Sequence, residues 1–226
     1  MALPRSQAVL LIMLAVPACI GAAQGVSPAS PPSVAANQKD SAAIAKARAD
    51  SARYPYTAAD VHFMSAMIGH HAQAVVMSGW APTHGASPSV RTLAERIING
   101  QQDEMASMKQ WLRDRGQTVP DSGTGAMSMP MHGAGHEMLM PGMLTEVQMK
   151  QLDQARGPEF DRLFLTFMIQ HHRGAVTMVR DLFSSRGAGQ DQTVFKFASD
   201  VSVDQSTEIE RMERMLAALT PGKPAQ

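Results

Sequence analysis

Cysteine is nearly absent from this chain of 226 residues, and the one cysteine, Cys19, lies close to the N-terminus. If the segment before Gln24 is removed, no thiol remains, which excludes disulfide bridges and thiolate metal ligands. A soft metal ion would then need methionine and histidine as ligands. Aromatic residues make up only 5%, whereas there are 18 methionines, whose thioethers either fill core gaps or bind Cu(I).

An excess of charge of one sign is lacking as well. Lys+Arg and Asp+Glu number 20 each, and no basic block or stripe occurs. This balance argues against nucleic acid or an anionic membrane surface as a partner. The sequence also has no phosphate-binding loop, zinc-protease motif or Ser/His/Asp arrangement, so we expect a protein that is not an enzyme.

The N-terminal region has no apolar run long enough to span a bilayer. The run at residues 8–16 follows Arg5 and is followed by small residues up to Ala23. This layout predicts a secretory signal peptide over residues 1–23. Because residues 16–19 resemble a lipoprotein box, attachment to a membrane is expected only if Cys19 is lipidated. Residues 24–54 contain a stretch rich in Pro, Ser and Ala, which predicts a flexible leader.

An internal repeat governs the rest of the chain. Residues 60–77 align with residues 161–178, so that His70 matches His171. In this alignment Asp, Phe, Met, Ile, His, His, Ala, Val and Met occur at the same positions of both segments. Residues 93–112 align in the same way with residues 197–216, so that Glu104 matches Glu208. Two copies of a helical hairpin joined by a long crossover predict an all-α, ferritin-like four-helix bundle over residues 55–219.

Caps and breakers bound the first repeat, residues 57–115. Thr57 is the predicted N-cap of a helix that runs to about Gly79. Ser87, followed by Pro88, is the predicted cap of a second helix that ends at Arg115, before Gly116. Residues 116–143 then form the predicted linker.

The second repeat, residues 145–219, is bounded in the same way. Thr145 with Gln148 predicts a capping box and a short helix ending at Gly157. A long helix is expected from near Pro158 to residues 186–187. Another is expected from about Gln190 to Leu219.

Methionine and histidine share one face of the first helix of each repeat. Phe63, Met67, His70, Ala74 and Met77 are spaced by three or four residues, as are Phe164, Met168, His171, Ala175 and Met178. A single histidine or methionine on such a face is usually core packing. Two adjacent histidines in both copies, His70-His71 and His171-His172, are costly to bury without partners, which favours a metal site.

The ligand types favour copper over iron. Di-iron bundles carry Glu-x-x-His, but Met67 and Met168 stand where the glutamate would be. Thioether sulfur with imidazole selects Cu(I), and imidazole also accepts Cu(II). Glu104 and Glu208 on the partner helices either add an oxygen ligand each or belong to a solvated face.

The linker carries a second Met/His tract over residues 127–143. Its glycines and prolines argue against a helix, so we expect its methionines not to form a core stripe. Such a tract suits capture and transfer of copper; the alternative is a disordered spacer. His62 and His84 have no counterpart in the other repeat and are expected at the surface. The candidate ligands of the tract are Met127, Met129, Met131, His132, His136, Met138, Met140 and Met143.

These motifs resemble the CopM-like family, long described as a domain of unknown function. The pattern F-x-x-x-M-I-x-H-H-x-x-A-x-x-M and the pattern Q-x-x-E-x-x-x-M both occur twice, and the resemblance covers residues 55–219. It implies a ferritin-like bundle, export to the periplasm, and copper binding linked to metal resistance. The ligands it implies are Met67, His70, His71, Met77, Met108, Met168, His171, His172, Met178 and Met212.

The sequence therefore predicts an exported protein that buffers, sequesters or ferries Cu(I) or Cu(II). Its expected partners are copper ions and other periplasmic copper-handling proteins. Two alternatives remain open. One is a ferritin-like metalloenzyme with a dinuclear site, and the other is a metal-free helical interaction module.

Overall fold

The computed structural model describes residues 55–121 and 139–219, together with Ser41, Ala45, Lys46 and Ala49. The chain divides into two units, residues 1–39 and 40–226, and only the second contains described residues. The predicted signal peptide and nearly all of the predicted leader lie outside the described residues. So does the central part of the Met/His tract.

The described residues form five helices and no β-strand. The helices are α1 (Ala58–Gly79), α2 (Pro88–Asp114), α3 (Glu146–Gln154), α4 (Pro158–Ser184) and α5 (Gln192–Leu219). Helix α1 packs chiefly against α2, and α4 packs against α5, so each repeat is a hairpin. The two hairpins meet along α1 and α4. The all-α, ferritin-like bundle predicted from the repeat is confirmed.

The predicted caps are present at the helix starts. Thr57 and Asp60 form a capping box at α1, and Thr145 and Gln148 form another at α3. The Ser87 hydroxyl accepts from the backbone N–H of Val90, with Pro88 in the first turn of α2. These side chains satisfy backbone N–H groups that have no partner within the helix.

Three predicted boundaries differ from the structure by a few residues. Helix α3 ends at Gln154 rather than Gly157, and α4 ends at Ser184. Helix α5 begins at Gln192 rather than Gln190 because Asp191 Oδ1 accepts hydrogen bonds from the backbone N–H groups of Thr193 and Val194. A side chain that caps in this way fixes the first turn of the helix after it.

Two buried aspartates join the hairpins in a reciprocal manner. Asp60 Oδ1 accepts from the backbone N–H of Gly189 at 2.7 Å, in the loop between α4 and α5. Asp161, its counterpart in the second repeat, accepts from the backbone N–H of Ser87 at 3.1 Å, at the start of α2. Each hairpin therefore holds the loop of the other. The repeated aspartate was visible in the sequence, but its partner was not.

None of the described helices combines the length and the hydrophobicity needed to cross a bilayer.

Candidate metal centre

The four repeated histidines lie in the middle of the bundle. His70, His71, His171 and His172 are all fully buried, on the helices along which the two hairpins meet. The rings of His70 and His171 face each other with centroids 3.8 Å apart and an interplanar angle of 38°. Two copies of one motif thus meet at the centre of the molecule.

Backbone carbonyls fix the tautomer of the two central imidazoles. His70 Nε2 lies 3.0 Å from the carbonyl oxygen of Pro141, and His171 Nε2 lies 3.0 Å from the carbonyl oxygen of His70. A carbonyl oxygen only accepts, so Nε2 carries the proton in both rings. In a neutral imidazole, Nδ1 then presents a lone pair.

The two outer imidazoles are each held by a glutamate. His71 Nε2 lies 2.7 Å from Glu104 Oε2, and His172 Nε2 lies 2.7 Å from Glu208 Oε2. The two pairs occupy equivalent positions in the repeats, and both glutamate side chains are 22% exposed. The glutamates are therefore not a purely solvated face, since each carboxylate orients a buried ring.

The Nδ1 atoms of all four histidines are buried and have no hydrogen-bond partner among the described residues. Most buried side-chain polar atoms are hydrogen-bonded, because an unpaired one costs about 1–3 kcal/mol. Four such nitrogens on one repeated motif call for a physical reason. Imidazoles that bind metals show this arrangement, in which one nitrogen donates to an oxygen and the other coordinates the ion.

Burial keeps the central pair neutral. Burial first, and then the nearby His71 ring, lower the pKa of His70 from 6.5 to about 3. Burial, and then the facing His70 ring, hold the pKa of His171 well below its usual value. A neutral imidazole is the form that binds a metal ion.

The helical methionines predicted as ligands are all buried, and they fall into two clusters. Met67 and Met108 of the first hairpin lie in the same apolar cluster as Met178 of the second. The other cluster contains the corresponding residues of the opposite repeats: Met168 and Met212 of the second hairpin, and Met77 of the first. Of these six predicted ligands, each cluster therefore contains two from one repeat and one from the other, as a pseudo-twofold arrangement requires.

The end of the Met/His tract crosses the bundle as a non-helical segment, residues 139–144, which we call the strap; it turns at Pro141 and Gly142, where the N–H of Met143 donates to the carbonyl oxygen of Met140. Gln73 donates to the carbonyl oxygen of Leu144 and accepts from its N–H. Gln170 donates to the carbonyl oxygen of Gly142 at 3.3 Å. A Cβ atom added at Gly174 would lie 2.0 Å from the carbonyl oxygen of Pro141, so only glycine admits the strap at this point of α4.

The last two methionines of the tract are buried in the core, although they do not form a helical stripe. Met140 and Met143 are 9% and 6% exposed and belong to the cluster that contains Met67. The reason is that the strap is held down by hydrogen bonds to α1 and α4, so an irregular backbone still buries its side chains. The remaining tract ligands, Met127, Met129, Met131, His132, His136 and Met138, lie outside the described residues.

The two histidines that have no counterpart in the other repeat, His62 and His84, have different environments. His62 is exposed, as predicted. The prediction of a surface position is wrong for His84, which is 5% exposed. Its Nε2 donates to the carbonyl oxygen of Asp153, its Nδ1 contacts Thr83 Oγ1 at 2.9 Å, and its ring stacks on Trp80. Both nitrogens thus have partners, and His84 joins the α1–α2 loop to the end of α3.

The structure shows no cluster of histidine and carboxylate ligands in the part of the chain that it describes. Across residues 55–121 and 139–219, no group of three His, Asp or Glu side chains is close enough to hold an ion. Buried imidazoles and buried thioethers instead occur on the same two helices, α1 and α4, and both are donors that soft ions accept.

Residues 60–216 match the family described as Domain of unknown function (DUF305), and the chain belongs to this family. A DUF305 fragment from Deinococcus radiodurans is 28% identical with a TM-score of 0.59, and the match covers 73% of this chain and 99% of that one. A DUF305 protein of Streptomyces coelicolor, whose secretion is inferred, is also 28% identical, with a TM-score of 0.60 and coverage of 74% and 98%.

Among the similar solved structures is CopM, in several metal-bound states. Its Cu(II)-bound form is 27% identical to this chain, with a TM-score of 0.55 and coverage of 71% of this chain and 97% of that one. Cu(I)-bound and silver-bound forms of CopM are similar to the same extent. The resemblance seen in the sequence is thereby confirmed. Comparison with curated protein sequences found no match.

Proposed function

We propose that this protein binds copper outside the cytoplasm, and that it buffers, sequesters or ferries Cu(I) or Cu(II) without catalysing a reaction. The observation that carries the proposal is the set of four buried Nδ1 lone pairs, each on a ring whose Nε2 is held by an oxygen atom. This is the outer-shell geometry of histidine ligands, on helices that also carry buried thioethers.

The ligands we propose are the four histidines with the helical methionines Met67, Met77, Met108, Met168, Met178 and Met212. The pairing of imidazole with thioether favours Cu(I), and imidazole also accepts Cu(II). The copper-bound and silver-bound forms of CopM support this choice, since silver(I) is a soft ion like Cu(I). The tract at residues 127–143 is proposed to capture ions and pass them to the bundle.

Export is proposed from the N-terminal sequence. Residues 1–23 have the layout of a signal peptide, and the similar Streptomyces coelicolor protein supports secretion. The periplasm is the proposed compartment, with other copper-handling proteins there as partners. Lipidation at Cys19 would add a membrane anchor.

A Cu(I) competition titration against a chromogenic chelator tests the binding proposal. The informative variant replaces all four histidines with glutamine, because the glutamine amide keeps an N–H donor while removing the Nδ1 lone pair. We expect its Cu(I) affinity to fall by more than about 100-fold, since loss of an outer-shell partner alone costs about 10- to 100-fold.

The matched control is His84→Gln, which changes a buried histidine whose ring nitrogens both have partners. Its Cu(I) affinity should equal that of the wild type. Equal affinity in all three proteins, with circular dichroism showing intact helices, would reject copper binding by the bundle and leave the metal-free helical module. Deletion of residues 127–138 tests the tract separately and spares the strap.

A further inference from the structure

A second polar feature lies between α2 and α5, on the outer side of the two glutamate–histidine pairs. It is a cleft of about 290 Å³ between residues 96–104 and residues 204–208. Glu104, Asp204 and Glu208 line it with carboxylates, and Arg96 is the one cation among its lining residues. The described lining of the cleft thus carries an excess of negative charge.

Two buried amides also line the cleft. Gln101 and Gln205 are each 3% exposed and occupy equivalent positions in the repeats. Both polar atoms of the Gln101 side chain, and Oε1 of Gln205, have no hydrogen-bond partner in the part of the chain that the structure describes. An unpaired buried amide is a cost to folding, so a repeated pair of them indicates a polar occupant in the cleft.

The electrostatic character of the cleft favours a cation. Partial burial raises the pKa of Asp204, and the neighbouring negative charges of Glu104 and Glu208 raise it further. The repulsion persists although the nearby Lys196 lowers the pKa of Asp204 in part, and a divalent cation in the cleft would relieve it. Carboxylate and amide oxygens are ligands that hard divalent ions accept.

The cleft fits a cation that keeps part of its water shell. No three carboxylates of the described residues are close enough to enclose a bare ion. A water molecule takes about 30 Å³ in the liquid, so the cleft has room for an ion with several waters between the oxygen atoms. Water-mediated contacts of this kind hold ions weakly and release them readily.

The same glutamates connect the cleft to the buried histidines. Glu104 and Glu208 line the cleft and accept from His71 and His172, whose rings are fully buried. A single carboxylate therefore lies between the cleft and each of these two imidazoles.

We propose that the α2–α5 cleft is an oxygen-lined uptake port, at which a hydrated divalent ion such as Cu²⁺ binds before it passes to His71 and His172. The port rests on the proposed function, because it supplies the route to that copper site. Its ligand chemistry differs from that of the copper site, however, and the two sites share only Glu104 and Glu208.

Mn²⁺ is the probe for the port, since it prefers oxygen and does not compete for thioether sites. Loss of the free-ion signal in electron paramagnetic resonance measures its binding to the full chain. We expect weak binding of a single Mn²⁺ to the wild type, and Asp204→Asn should weaken it about fivefold by removing one charge from the cleft.

Two further variants keep the test specific. Glu210→Gln removes the same charge from a residue of α5 that does not line the cleft, and it should leave Mn²⁺ binding unchanged. Gln205→Leu removes an unpaired amide; it should weaken Mn²⁺ binding about threefold, as loss of one neutral oxygen ligand would, without lowering the melting temperature.

The outcomes separate the port from the copper site. Equal Mn²⁺ affinity in the wild type, Asp204→Asn and Gln205→Leu overturns the port, whatever the Cu(I) titration gives. If Mn²⁺ binding responds as expected and the wild type binds no Cu(I), the cleft is a cation site but not a route to copper, and the port is likewise rejected. Support requires both the Mn²⁺ response and slower Cu²⁺ uptake by Asp204→Asn in stopped-flow.

Discussion

At the scale of single residues, the important atoms are the two nitrogens of each buried imidazole. An oxygen acceptor holds Nε2, and Nδ1 has no partner within residues 55–121 and 139–219. The fold therefore carries an energetic cost at each ring that a bound ion would offset. The consequences for pH and for affinity follow from this arrangement.

The stability of the protein without metal should fall between pH 7 and pH 5. Burial holds the pKa of His70 near 3 and lowers that of His171, so the unfolded chain binds more protons than the folded one in this range. Stability is therefore complete above the unfolded value of 6.5 and is lost as pH falls. We expect a loss of about 2 kcal/mol for each of these histidines between pH 7 and pH 5.

Urea unfolding at pH 7, 6 and 5 measures this loss. The His70→Gln variant keeps an N–H donor for Pro141 but does not titrate, so it should lose about 2 kcal/mol less than the wild type. Identical pH dependence in the two proteins would mean that His70 is accessible to protons in the folded state.

The glutamates should affect affinity through the rings that they orient. Glu208→Gln replaces the carboxylate that accepts from His172 at 2.7 Å by a neutral amide. A weaker acceptor lowers the basicity of the ring and loosens its orientation, so we expect Cu(I) affinity to fall about 10-fold. The competition titration checks this against Glu213→Gln, an exposed carboxylate of α5 that pairs with Arg173. An equal effect of the two changes would argue against an orienting role.

At the scale of elements, the strap is what makes the two hairpins unequal. The counterpart of Gly174 in the first repeat is Gln73, and the strap uses both: it passes over the glycine and is held by the glutamine. In consequence His70 donates to the strap, whereas His171 donates to α1. A symmetric sequence motif thus produces two different central histidines.

Gly174→Ala should destabilise the protein by about 1–3 kcal/mol, the usual range for overpacking. The added Cβ would meet the backbone of Pro141 and Gly142 within 2.6 Å, and backbone atoms cannot move aside as a flexible side chain can. Gly100→Ala is the matched change, since a Cβ at this helical position meets nothing within 4 Å. It should stabilise by up to about 1 kcal/mol.

Chemical denaturation of both variants tests the strap. If Gly174→Ala were as stable as Gly100→Ala, the strap would not lie on α4 in solution. Loss of stability together with unchanged Cu(I) affinity would show that the strap supports the fold but not the site.

At the scale of the whole molecule, binding at the centre should stabilise both hairpins together. The central rings come from α1 and α4, and Asp60 and Asp161 tie each hairpin to the loop of the other. An ion held between the hairpins would therefore resist separation of the two halves of the bundle.

Saturating Cu(I) should raise the melting temperature by several degrees. A ligand at about 100 times its dissociation constant adds about 2.7 kcal/mol, and each kcal/mol corresponds to about 2–4 °C in a chain of this size. Calorimetry under reducing conditions measures the shift. The four-histidine glutamine variant should show none, whereas His84→Gln should keep the full shift. A shift in the four-histidine variant would locate binding elsewhere.

The sequence by itself determined the helices and the ligand face. Period-3.6 spacing, capping residues and the duplicated motif are local signals, so they predicted α1, α2, α4 and α5 to within a few residues. They also predicted that Met67, His70, Met168 and His171 lie inside. Burial of these residues follows from the spacing alone, because one face of each helix must cover the core.

Tertiary structure alone decided which groups meet. The sequence left open whether Glu104 and Glu208 face solvent, and it placed His84 at the surface. The structure pairs the glutamates with His71 and His172 and buries His84 against Asp153. It also buries Met140 and Met143 through the strap, which depends on the absence of a side chain at Gly174. Contacts between residues distant in the chain depend on packing geometry, and no local periodicity encodes that geometry.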